Sequence, residues 1–212
     1  MPHNYITGDT RMSQLKLTAD SGGGTVAIKG PASTTGNAAL DLTVPGTASA
    51  TLDTLGRAGN ILQVKQVTKT DTFSSTSSSF IDLTGMSVSI TPSSTSSKIL
   101  VSFSLGCFQN GTAGSRAFLT IVRDSTNLLL GDAATGHECT YAVCTRSANS
   151  NHIQIPVSGS FLDSPSTTSA TTYKLQCSVG NDGGTMTLNK PNTVDAQSGN
   201  AASTITVMEV AG

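Results

Sequence analysis

The sequence contains no tryptophan, and six phenylalanines and three tyrosines are the whole aromatic complement of its 212 residues. Charge is scarce too. Only 12% of residues are Asp, Glu, Lys or Arg, and the formal net charge is -1 at pH 7. Without a basic field to neutralise a row of phosphates, nucleic acid is not expected as a partner. No stretch approaches the ~18 consecutive apolar residues of a membrane helix. The opening Met1-Pro2-His3-Asn4-Tyr5-Ile6-Thr7-Gly8-Asp9 lacks the basic start and apolar stretch of an export signal. The expectation is a chain that neither inserts into a membrane nor folds in an oxidising compartment. Cys107, Cys139, Cys144 and Cys177 are therefore expected to be free, mostly buried thiols rather than two disulfides. Heptads, Gly-X-Y repeats and long windows of helical periodicity are also missing. Rigidity has to come from sheets.

What the sequence does contain is hydroxyl and glycine: 61 serines and threonines and 21 glycines. Thr, Val and Ile fit a pleated surface, and Gly, Ser and Asn fit its turns. Strict alternation then locates the strands. Met86, Val88 and Ile90 interleave with Ser87, Ser89 and Thr91, and Ile99, Val101, Phe103 and Leu105 share one face with Ser102 and Ser104 opposite. The rhythm continues through Leu119 and Ile121, through Ile153, Ile155, Val157 and Phe161, and through Tyr173, Leu175, Cys177 and Val179. It closes with Ile205 and Val207. Weaker segments at 61–69, 128–130, 140–145 and 185–188 raise the expected count to nine or ten strands. The Ser-rich stretches 74–79 and 93–97 abut strong strand starts and read as hairpin loops.

Before Gly59 the pattern differs. Gly22-Gly23-Gly24, Gly30-Pro31 and Pro45-Gly46 interrupt short apolar pieces that cannot by themselves offset their ordering entropy. The fold expectation is accordingly all-β: an extended, strand-forming arm over residues 1–58, then a jelly-roll-like antiparallel β-sandwich over 59–212. In the arm the apolar pairs Leu15 and Leu17, Val26 and Ile28, and Leu40 and Leu42 are expected to order against other copies and attach the assembly.

No Gly-x-Ser-x-Gly elbow is present, and the histidines are His3, His137 and His152. Gly136-His137-Glu138-Cys139, with Cys144 and His152 beyond, offers zinc-type ligands. The spacing departs from that of ribbons and fingers, and alternation would send Cys139 and Cys144 to opposite faces of a strand. Asn181-Asp182-Gly183-Gly184 lacks the twelve-residue calcium pattern and reads as a hairpin turn between Val179 and Met186. No catalytic residue, metal ligand or cofactor site is therefore assigned, and the chain is not expected to be an enzyme. A sugar site would usually need an aromatic platform, and Tyr141 is the one mid-domain tyrosine outside the core alternation.

One segment carries a resemblance. The run Ser79-Phe80-Ile81-Asp82-Leu83-Thr84-Gly85-Met86-Ser87-Val88-Ser89-Ile90-Thr91-Pro92, continuing through Ser93-Ser94-Thr95-Ser96-Ser97 to Lys98-Ile99-Leu100-Val101, resembles a segment of bacteriophage tail-fibre and other virion proteins. Asn60-Ile61-Leu62-Gln63-Val64-Lys65-Gln66 is similar to the opening strand of those domains, and Ile205-Thr206-Val207-Met208-Glu209-Val210 fits the same domain type. The resemblance implies a structural virion subunit, tail fibre or spike, built as a homotrimer in the host cytoplasm. It implies partners among other virion proteins, reached through the arm, and contact with a host surface glycan as a second role. A lectin-like host-recognition module and a capsid-decorating head fibre are the alternatives.

Alkylating the unfolded chain without reductant and weighing it tests the expected reducing compartment. Four modified thiols are expected, and two or fewer would place the protein in an oxidising compartment.

Overall fold

The computed structural model describes residues 14–18, 25–29, 57–132, 140–145, 155–181, 183–191 and 199–212. The chain divides into two compact units, Met1–Leu52 and Asp53–Gly212. In the first, strands β1 (Gln14–Thr18) and β2 (Thr25–Lys29) pair antiparallel, with Leu15 opposite Ile28 and Leu17 opposite Val26. These four expected assembly residues are thus partners within one hairpin, while Leu40 and Leu42 lie outside the described residues.

The second unit contains β3 (Ile61–Lys69), β4 (Phe73–Ser75), β5 (Ile81–Ile90), β6 (Lys98–Leu105), β7 (Phe108–Asn110), β8 (Arg116–Arg123) and β9 (Thr126–Leu128). It continues with β10 (Ala142–Thr145), β11 (Val157–Asp163), β12 (Thr171–Val179), β13 (Met186–Leu188) and β14 (Ser203–Val210). One sheet has the order β3-β14-β6-β11 and the other β5-β12-β8-β10, with β9 folded as a hairpin onto β8. All pairings are antiparallel. Of the eight strands of these two sheets other than β9, taken in chain order, the first, eighth, third and sixth form one sheet, and the second, seventh, fourth and fifth form the other. This is the jelly-roll arrangement of two interlocked Greek keys, and the all-β sandwich read from alternation is what the chain forms.

Alternation decides which face is buried. Val101, Phe103, Leu105, Ile205 and Val207 from one sheet and Val88, Ile90, Leu119, Ile121, Tyr173, Leu175 and Cys177 from the other belong to a single buried cluster. At one end a third sheet of order β4-β13-β7 aligns Phe73, Leu188 and Phe108 in one row and closes the core. In β5 the two-residue rhythm breaks once. Leu83 and Met86 are both buried with Thr84 and Gly85 exposed between them, Gly85 has φ +85, and the register against β12 shifts there. A bulge of this kind inserts residues without turning the following strand inside out.

Two expectations about connections are corrected. The Ser-rich stretches 74–79 and 93–97 are not hairpin loops, because β4 pairs with β13 and not β5, while β5 and β6 lie in opposite sheets. Residues 91–97 cross from sheet to sheet. Likewise Gly183 and Gly184 do have the positive φ of a tight turn, +80 and +104, but β12 and β13 belong to different sheets and do not pair. Turn chemistry reports a change of direction. Whether the chain returns beside itself or crosses to another layer depends on where the partner edges lie.

Gly184 is required twice over, by its left-handed backbone and by space, since a Cβ there would collide with Asn110 Oδ1 and Thr112 Oγ1. Gly184→Ala is expected to cost about 2 kcal/mol or more of unfolding free energy, read by urea denaturation. An unchanged midpoint would contradict this packing.

Candidate functional site

Three polar clusters interrupt the apolar core, and each joins elements distant in sequence. The first is built on Asp163 at the end of β11. Arg123 Nη1 of β8 donates to its Oδ1 at 2.9 Å and its Oδ2 at 2.7 Å, and Tyr173 OH of β12 donates to Oδ2 at 2.6 Å. The three strands come from both sheets, so the carboxylate fastens one sheet to the other. Tyr173 is fully buried; burial first, and then its bond to the Asp163 carboxylate, push its phenol well above the ordinary range. The same carboxylate raises the pKa of the Arg123 guanidinium. The tyrosine therefore stays protonated and the arginine charged, and the cluster acts as a hydrogen-bonded clamp rather than a source of protons.

The second cluster surrounds Glu209, whose side chain is inaccessible to solvent. Gln63 Nε2 donates to Oε2, and the backbone N and hydroxyl of Ser93 both donate to Oε1, each at 2.6 Å. Gln63 Nε2 also donates to the Thr91 carbonyl at 2.7 Å. Burial alone would raise the pKa of Glu209. The hydrogen bonds from Gln63 and Ser93 outweigh it and hold the group down at about 2. The carboxylate thereby anchors the crossing segment 91–97 to β3 and β14. Nearby, the buried Ser97 hydroxyl lacks a hydrogen bond of ordinary geometry.

The third cluster centres on buried Asn189, just beyond β13, with φ +61. Its amide nitrogen donates to the carbonyls of Lys69 at 2.9 Å and Asp71 at 3.1 Å, and its Oδ1 accepts from Ser203 Oγ at 2.5 Å. Ser203 Oγ in turn accepts from the Gly106 amide at 3.2 Å. One side chain ties together the exit of β3, the exit of β6, the small sheet and the entry to β14.

His3, His137, Glu138, Cys139 and His152 lie outside the described residues. Cys107, Cys144 and Cys177 are buried free thiols. Burial pushes Cys144 up to about 11, with Cys107 adding to it, and pushes Cys177 up to about 12, so neither thiol is a ready nucleophile. Among the described residues, no three His, Cys, Asp or Glu side chains stand together as metal ligands. Tyr141 is not a free platform: its ring meets Phe103 edge-on with centroids 5.4 Å apart, and its hydroxyl donates to the Ser158 carbonyl at 3.3 Å. Its ring also fills the space that a side chain at Gly159 would occupy.

Sequence reading missed all three clusters. For Glu209 a signal existed, since it follows Ile205 and Val207 on the inward phase of β14, where a carboxylate demands partners. Asn189 carried none, because its side-chain partners Lys69, Asp71 and Ser203 stand 120, 118 and 14 residues away in the chain.

No family model matches the sequence, and no curated protein matches it. Among solved structures, a chain of the "Structure of infectious bursal disease virus Gx strain" aligns at 17% identity and a TM-score of 0.35, covering 88% of this chain. This chain spans 46% of that one.

The depressed pKa of Glu209 sets the sign of its pH dependence. Its stabilising effect is complete above the unfolded value near 4.5 and is lost as pH falls from there through about 2. Glu209→Gln, which sets an amide against donors, is expected to lower stability at pH 7 by about 1.5–3 kcal/mol. It should also flatten the decline of stability with acid between those two pH values, as followed by thermal unfolding. A variant with the parent's acid slope would refute the assignment.

Proposed function

We propose that this chain is a structural subunit of a bacteriophage particle, a tail fibre or spike, that assembles as a homotrimer. The observation that carries the reading is the placement of the virion-like run 79–101. It forms β5, the crossing segment 91–97 and the start of β6, a passage that links the two sheets. Residues 60–66, similar to the opening strand of such domains, begin β3. The polar clusters support the same reading. Asp163, Glu209 and Asn189 spend their hydrogen bonds on fastening strand to strand, which is the use of buried polarity in a part that bears load. In this reading residues 1–58 are shared between copies and hold the assembly to other virion proteins, and the sandwich faces outward, where host glycans are met. Assembly takes place in the host cytoplasm.

Two measurements test it. Peptides of this chain are expected in gradient-purified particles at fixed stoichiometry, and their absence would overturn the virion role. Sedimentation of the full chain should give trimers, and a chain beginning at Asn60 should associate more weakly and in a concentration-dependent way. A full-length monomer at micromolar concentration would defeat the trimer. An unchanged trimer without residues 1–59 would place assembly in the sandwich alone.

A further inference from the structure

The sheet β3-β14-β6-β11 has a second face, directed away from the core. Cross-strand register arranges it in complete rows. Val64, Met208, Leu100 and Leu162 are successive partners across all four strands. The next row is Gln66, Thr206, Ser102 and Ser160, and the one after it Thr68, Thr204, Ser104 and Ser158. None of the twelve is charged, although Lys98, opposite Val210, stands exposed on the same face beyond the apolar row. The row of four is apolar from edge to edge, and at its two ends Val64 and Leu162 are each 52% exposed, although both are large hydrophobic side chains. Ile61, opposite Val210 on the same face, is 47% exposed.

The outward face of the other sheet exposes Val143 on its edge strand β10 but differs in its polar groups. There Lys174 Nζ and Gln176 Nε2 donate to Asp82 at 2.9 and 2.7 Å, and Ser89 and Thr172 hydroxyls meet at 2.8 Å, so that face already pairs its polar groups in water.

We infer that the outward face of β3-β14-β6-β11 is a contact surface between copies of this chain. The inference rests on the reading of the chain as an assembling subunit and names where its sandwiches meet. The occupant follows from complementarity. A charged surface laid on these rows would bury its ions without counterions, a heavy cost. Turned toward a threefold axis, the same face on each neighbouring copy brings apolar rows to meet apolar rows, and hydroxyls that both donate and accept to meet hydroxyls. The extent is adequate as well. Four strands of about eight residues present about 500 Å² of face, or about 1,500 Å² over the three copies, an extent within the range of specific contacts.

The test uses the full chain carrying Val64→Glu with Leu162→Glu. Both sites are exposed on the outward face, so the melting temperature should hold within a few degrees. Like charges brought together in the contact should weaken self-association by about tenfold or more in sedimentation equilibrium. Lys174→Glu on the other sheet should leave association unchanged. If the glutamates impair folding, Val64→Thr with Leu162→Thr replaces them, with a smaller shift in the same direction. A folded double variant that associates like the parent overturns the inference. So does a parent chain that stays monomeric to 100 μM or so, and if such a monomer binds separately purified particles through this face, the occupant is another virion protein. Recovery of the chain in particles is scored independently, so the contact surface and the virion role fail separately.

Discussion

Two sheets whose inner faces carry aliphatic, sulfur and a few aromatic side chains are held together by burial, and the rest of this structure is arranged around keeping that burial closed. Without tryptophan, the core reaches its volume through many medium-sized residues in register, Val101 and Phe103 from one sheet against Leu119, Ile121 and Leu175 from the other. Such a core gains from close packing and tolerates few gaps. Its weak points are the ends, where strands stop and the chain must cross from one layer to the other.

The polar clusters sit where those crossings occur. Glu209 fixes segment 91–97, Asn189 fixes the passage around the small sheet, and Asp163 joins β11 of one sheet to β8 and β12 of the other. Each buried polar atom there is costly unless its partner is in place, which makes the crossings specific. A jelly roll has many crossings, since nearly every connection between its long strands changes sheet. Fasteners of this kind give the sandwich its one chain path, a contribution distinct from the non-directional attraction between the sheets.

Outside the core, the two outward faces have divergent chemistry. One pairs Asp82 with Lys174 and Gln176 and exposes Val143 only on its edge strand. The other carries uncharged rows and exposed Val64 and Leu162. In a chain so poor in charge, the distribution of its few ions decides which surface water solvates well and which surface a second protein can cover.

The strands themselves were legible in the sequence because a pleat has period two: Ile99 through Leu105 and Tyr173 through Val179 show their buried face without any knowledge of neighbours. The all-β class and the near position of every long strand followed from that local rule, as did the burial of Cys107, Cys144 and Cys177. What pairs with what did not follow. Residues 74–79, 93–97 and 183–184 have turn chemistry whether the next strand folds back or crosses over, so hairpins were expected where the chain changes sheets. The partners of Asp163, Glu209 and Asn189 are 10 to 146 residues away in the chain, and no periodicity encodes such distances. Likewise Val64, Met208, Leu100 and Leu162 are unremarkable singly and become one row only when register sets four strands side by side. Local sterics and hydrophobic alternation belong to the sequence; adjacency belongs to the tertiary structure, because it is settled by the burial of whole sheets at once.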